Sequence, residues 1–217
     1  MSANIFSEPD KEILDRRGTI VEHLACLVSS DGLITDRDEC RAYETDALAV
    51  YRRIPLAVVL PTSTDEVSAV LKFCHDNGVK VVPRGAGTSL AGGAIPTEDA
   101  IVLGLSRMSR VLEINYDDRF IRVEAGVTNL SITSAVSDRG FFYAPDPSSQ
   151  LACTIGGNIA NNSGGAHCLK YGVTTNNLLG IRLVLIDGTI LDLGGNSLDS
   201  GGLDLLAVCA RQAAGRA

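Results

Sequence analysis

The sequence predicts an α+β fold built of two α/β subdomains, at about residues 55–105 and 106–206, and three observations carry that expectation. Residues 56–83 alternate an apolar run, an amphipathic stretch and a second apolar run, the pattern of a strand–helix–strand unit. Residues 100–126 hold further apolar runs separated by turn residues, and residues 180–194 hold two more around Asp187-Gly188. Two glycine-rich segments interrupt these elements, one straight after a strand and one within a long loop. The totals agree with such a chain: 217 residues, 45 % hydrophobic and 22 glycines suit one large domain or two small ones. A formal net charge of −7 argues against a nucleic-acid or anionic-membrane surface.

Taken in order, residues 1–54 read as an N-terminal helical and irregular segment, with Ile13, Ile20, Leu24 and Leu27 on one face of a helix over 12–29. "LAVVLP" is a short buried strand. Residues 63–78 are a helix with a capping box at Ser63 and Glu66, an apolar face of Val67, Val70, Leu71 and Cys74, and Gly78 as its stop. "VKVVP" is the next strand, parallel to the first. "AIVLGL", "RVLEIN" and "FIRVEAG" are strands, the last two joined through Asp117-Asp118. Thr128 caps a helix over 129–139 that Gly140 closes. A long loop follows, and "GIRLVLI" and "TILDLG" form a hairpin with a two-residue connection at Asp187-Gly188.

The segment "PRGAGTSLAGG" leaves the carboxyl end of a strand, where open α/β sheets bind ligands. It is not a dinucleotide G-x-G-x-x-G, because Leu90 stands at the third glycine position. It is not a nucleoside-triphosphate loop, because Gly93-Ala94 stand where that motif has lysine and a hydroxyl residue. A backbone nest for an anion remains, with a tight turn needing positive φ as the alternative. The second segment, "CTIGGNIANNSGG", again combines bare backbone with Asn and Ser donors, and ordinary turn chemistry is its alternative. Two such segments suggest a ligand with two ends to hold, such as a dinucleotide.

Together, "PRGAGTSLAGG" and "APDPSSQLACTIGGNIANNSGGAHCLKYG" resemble the FAD-binding (PCMH-type) domain of the vanillyl-alcohol oxidase/p-cresol methylhydroxylase superfamily. "YAPDPSSQ", "AHCLKYG" and "NNLLGI" narrow the likeness to glycolate oxidase FAD-binding subunits and the related D-lactate dehydrogenases. The resemblance implies a flavoprotein oxidoreductase that oxidises a 2-hydroxy acid, glycolate or D-lactate, by hydride transfer to FAD. It implies that Arg84, Gly85, Ala86, Gly87, Thr88, Ser89 and Gly92 cradle the pyrophosphate. Pro145, Asp146, Thr154, Gly156, Gly157, Asn158, Asn162 and Gly164 would line the other side of the cofactor. Where some members attach flavin covalently through a histidine, this chain has Thr88, so FAD is expected to be non-covalent. An iron–sulfur partner subunit is implied as electron acceptor.

His23 and His75 read as surface residues, and His167, beside the second motif, is a candidate for a role near the flavin ring. No metal-ligand spacing is present, and six cysteines without a C-x-x-C pair read as reduced thiols. With no apolar leader or spanning run, the expected location is cytoplasmic, with membrane association only through partner subunits. The resemblance also implies a substrate-binding cap domain carrying catalytic histidines, and no such sequence follows here. Residues 207–217 depart from the family's pattern and read as an aberrant tail that leaves the last part of the fold incomplete. A non-catalytic FAD-binding remnant or interaction fragment, from a truncated or frameshifted gene, is therefore the alternative expectation.

Overall fold

The computed structural model describes residues 8–195 and 204–212. The chain divides into two compact units, one running to Gly104 and including Leu185–Thr189, the other comprising Leu105–Val184 and the chain from Ile190 on.

The first unit opens with α1 (Lys11–Asp15) and α2 (Arg17–Leu27). Together they bury Ile13, Ile20 and Leu24. The expected single helix is broken at Arg16, whose N–H turns back to the carbonyls of Glu12 and Leu14 and closes α1. Then come β1 (Leu33–Ile34), the short α3 (Arg37–Cys40), β2 (Ala57–Val59), α4 (Thr64–Asp76), β3 (Lys80–Arg84) and β4 (Ala100–Gly104). The sheet order is β1-β2-β4-β3, with β1 antiparallel and the other pairs parallel. β2 and β3 are thus parallel as expected, but β4 lies between them. Burial explains the order: β2 and β4 are buried at every residue, as central parallel strands are, whereas β3 is partly exposed and carries Pro83. Cys40, Val58 and Val102 form a core cluster in this unit.

Helix α4 starts at its predicted cap, where Ser63 Oγ accepts the Glu66 N–H at 3.2 Å. The reciprocal half of the capping box differs from expectation: Glu66 accepts from the Thr62 N–H and hydroxyl, at 2.7 and 3.0 Å, and not from Ser63. Val67, Val70 and Cys74 are its buried face.

The second unit contains the antiparallel pair β5 (Val111–Asn115) and β6 (Phe120–Val123), helix α5 (Asn129–Val136) and the antiparallel strands β7 (Gly180–Val184) and β8 (Ile190–Gly194). Its core cluster is Val127, Ile132 and Ile155. The expected long loop contains two short helices, α6 (Ile155–Asn161) and α7 (Cys168–Tyr171). The connection at Asp187-Gly188 is longer than the two residues expected. Leu185 N–H bonds Thr189 O at 2.8 Å, leaving Ile186–Gly188 as the loop, with Gly188 at φ 85° taking the left-handed position. Helix α8 (Leu205–Gln212) covers the start of the stretch expected to be an aberrant tail, and residues 213–217 of that stretch lie outside the described residues.

Candidate functional site

The first glycine-rich segment leaves β3 in the first unit. Among the described residues, the backbone N–H groups of Ala86, Gly87 and Thr88 have no protein acceptor. Gly87 lies at φ 70° between residues of negative φ, the alternation of hand that turns successive N–H groups into an anion-binding nest. A Cβ on Gly87 would collide with the Arg84 guanidinium. Glycine is therefore required twice over, by the backbone and by the side chain beneath it.

Arg84 is not presented as a free phosphate ligand. Its Nη1 donates to Thr45 O at 2.7 Å and, weakly, to Ala94 O at 3.5 Å. The guanidinium carbon sits 5.6 Å from the centroid of the Tyr43 ring. Burial lowers the Arg84 pKa, opposed by the charge of Asp46 and by Tyr43. Asp46 is 5 % exposed and accepts two backbone bonds, Leu48 N–H at 2.8 Å and Gly92 N–H at 2.9 Å. Ala47 N–H bonds Ser89 O at 3.1 Å. Sequence reasoning missed Asp46, which sits in a stretch read as irregular and meets Gly92 only through the fold.

The second segment belongs to the other unit, and most of its expected ligands are occupied within it. Asn158 is 1 % exposed, and its amide donates to Asn129 Oδ1 at 3.5 Å. Asn129, also unforeseen, donates to Pro145 O at 2.8 Å. Thr154 caps α6 by accepting the Gly157 N–H at 3.4 Å. Gly156 N–H bonds Ala125 O at 2.9 Å, so the first turn of α6 has already spent its donors. Asn162, left-handed at φ 46°, accepts from the Thr175 N–H and hydroxyl at 3.0 and 2.6 Å. These side chains build the framework. Among the described residues the Gly164 N–H and Ser163 hydroxyl have no protein partner.

Asp146 accepts from His167 Nδ1 at 2.5 Å and from its backbone N–H at 3.2 Å. The His167 backbone and ring together hold the Asp146 carboxyl below the usual carboxylate range. His23 and His75 are exposed, as expected. Burial pushes the Cys74 thiol up to about 12, marking it as a core packing group. Among the described residues no group of His, Cys, Asp and Glu could hold a metal ion, and no helix is long and apolar enough to cross a membrane.

A nest of unspent donors after a parallel strand, in a chain of this α+β architecture, suits a domain that binds a phosphate-bearing cofactor. The chain belongs to the FAD binding domain family, which matches residues 55–194. It is 52 % identical over 171 residues to the glycolate oxidase subunit GlcD of Escherichia coli K12, covering 79 % of this chain and 34 % of that protein. It is 41 % identical over 171 residues to the D-lactate dehydrogenase of Archaeoglobus fulgidus, covering 78 % of this chain and 38 % of that protein. The chain thus spans about a third of the length of these relatives. Among solved structures, an alkyldihydroxyacetonephosphate synthase shares the fold with a TM-score of 0.78 at 21 % identity, over 96 % of this chain and 39 % of that one. A p-cresol methylhydroxylase shares it with a TM-score of 0.70 at 19 % identity, over 89 % and 38 %. FAD is the cofactor of this family, and the three free N–H groups around Gly87 fit its pyrophosphate.

Proposed function

We propose that this chain is the FAD-binding part of a flavoprotein oxidoreductase acting on a 2-hydroxy acid, glycolate or D-lactate. The observation that carries the reading is the 52 % identity to a glycolate oxidase subunit over 171 residues. Bound FAD supplies the two-electron acceptor for the hydride of the substrate's carbinol carbon. The chain's own part is to bind and orient. Ala86, Gly87 and Thr88 give backbone N–H groups to the pyrophosphate, and Gly85, Ser89 and Gly92 shape the same loop. In the second unit Gly164 and Ser163 have groups left to offer a cofactor, while Pro145, Asp146, Thr154, Gly156, Gly157, Asn158 and Asn162 keep that segment in shape. Arg84, with Nη1 engaged by Thr45 O and Ala94 O, supports the loop from beneath in this reading.

The reading includes a partner subunit, an iron–sulfur protein, as electron acceptor; that the relative is itself named a subunit supports a partner of some kind. Anaerobic mixing of glycolate and D-lactate with the flavin-loaded protein that contains this chain tests the reading. Bleaching of the flavin absorbance by one of them is expected. A preparation that dithionite bleaches but no 2-hydroxy acid does would overturn it.

A further inference from the structure

We infer that Thr45–Leu48, upstream of the residues matched by the family, is the positioning element of the pyrophosphate loop, with Asp46 its positioning residue. The inference rests on the proposed placement of the FAD pyrophosphate at Ala86–Thr88. The family match begins at residue 55, so this segment lies outside it. Yet its contacts bracket the three free donors on both sides. Before them, Arg84 reaches Thr45 O at 2.7 Å; after them, Ser89 O takes the Ala47 N–H at 3.1 Å and Gly92 N–H is held by Asp46 at 2.9 Å.

A loop this rich in glycine loses much conformational freedom on ordering, and a ligand that had to order it would bind more weakly. The bracket bears that cost in the folded chain before any ligand arrives. Asp46 is suited to the task because both oxygens are engaged by backbone donors, Oδ1 by Leu48 and Oδ2 by Gly92. An asparagine has one acceptor oxygen and must turn an NH2 toward one of those N–H groups. At 5 % exposure Asp46 acts through the loop and not by touching the cofactor.

Asp46→Asn in the protein that contains this chain tests this, with FAD affinity followed by flavin fluorescence and the bound pyrophosphate by 31P NMR. The variant is expected to keep the parent's circular dichroism and to bind FAD roughly tenfold more weakly or worse. Its bound 31P resonances should move while the visible flavin bands keep their positions. A purely structural role would lower the folded fraction and leave both spectra of the bound fraction as in the parent. If Asp46→Asn does not fold, Arg84→Lys, which keeps the charge and loses the fork, is the second variant, with the same losses expected. Parental affinity and parental 31P shifts in a folded variant would overturn the inference. Parental FAD retention in Gly87→Val would instead overturn the placement of the pyrophosphate and, with it, the role given to the bracket.

Discussion

At Gly87 a single hydrogen in place of a side chain does two things. It permits φ 70°, and it leaves room for the Arg84 guanidinium. Gly87→Val is therefore expected to abolish retention of FAD, read as flavin absorbance after desalting, because a β-branched residue strains the backbone and displaces Arg84. A variant as yellow as the parent would refute the pyrophosphate assignment. Beside it, the family resemblance puts Thr88 at the position where some members attach flavin through histidine, and we propose a non-covalent cofactor: trichloroacetic acid should leave all the flavin in the supernatant, and a yellow pellet would contradict it. The sequence made the glycines legible because their bareness is local information. It did not reveal what lies under the loop. Arg84 entered the cradle through the family resemblance alone, and its partner Thr45, 39 residues away in sequence, could not be foreseen.

Helix α4 was readable nearly to the residue, since a cap, a 3.6-residue apolar stripe and a stop glycine all lie within it. Helix α6 was hidden, because Gly156 and Gly157 in its first turn look like loop and weaken helical propensity. Long-range bonds compensate. Asn129 at the start of α5 donates to Pro145 O and accepts, at longer range, from Asn158 in α6. The side chains of Asn129 and Asn158 are 2 % and 1 % exposed, so a partner removed leaves a polar group unsatisfied out of reach of water. Asn129→Leu is accordingly expected to cost about 2 kcal/mol or more, at roughly 1–3 kcal/mol for each group left unpaired. The measurement is the urea midpoint of the apo chain. A change below about 0.5 kcal/mol, within the range of ordinary surface substitutions, would show that the Asn129–Asn158 junction contributes nothing to stability. The β2-β4-β3 order belongs to the same scale. The strand pattern could say that β2 and β3 run in parallel, but only the complete burial of β4 says which strand separates them.

Across the whole molecule the carboxylates set the response to acid. Burial pushes the Asp99 carboxyl up, but bonds to Oδ2 from Lys80 Nζ at 2.7 Å and the Asp10 N–H at 2.9 Å help to outweigh it and bring the carboxyl down to about 2. Arg110 draws Glu124 down through bonds of 2.7 and 3.0 Å, against the opposing effect of burial. Arg182 does the same for Asp192, the Thr189 N–H for Asp187 and the His167 backbone and ring for Asp146. None of these pairings was legible in the sequence, where each carboxylate looks like any other surface charge. All shift in one direction, and that fixes the sign. Groups whose pKa is lower in the folded than in the unfolded chain bind more protons when unfolded, so their stabilisation is complete above the unfolded values. Those values are 4.5 for Glu and 3.8 for Asp, and the stabilisation is lost as the pH falls from there toward about 2. Asp99 alone, fully buried, accounts for roughly 2 kcal/mol of this. Urea unfolding at pH 6, 4 and 3 should therefore show midpoints that drop progressively, most steeply below pH 4. In Asp99→Asn the midpoint should start lower at pH 6 and fall less on acidification, because the titrating group is gone while Lys80 keeps only a neutral partner. Equal acid sensitivity in the variant and the parent would show that the Asp99 carboxylate is not held low in the folded protein. Stability that rises on acidification would contradict the sign for all five carboxylates.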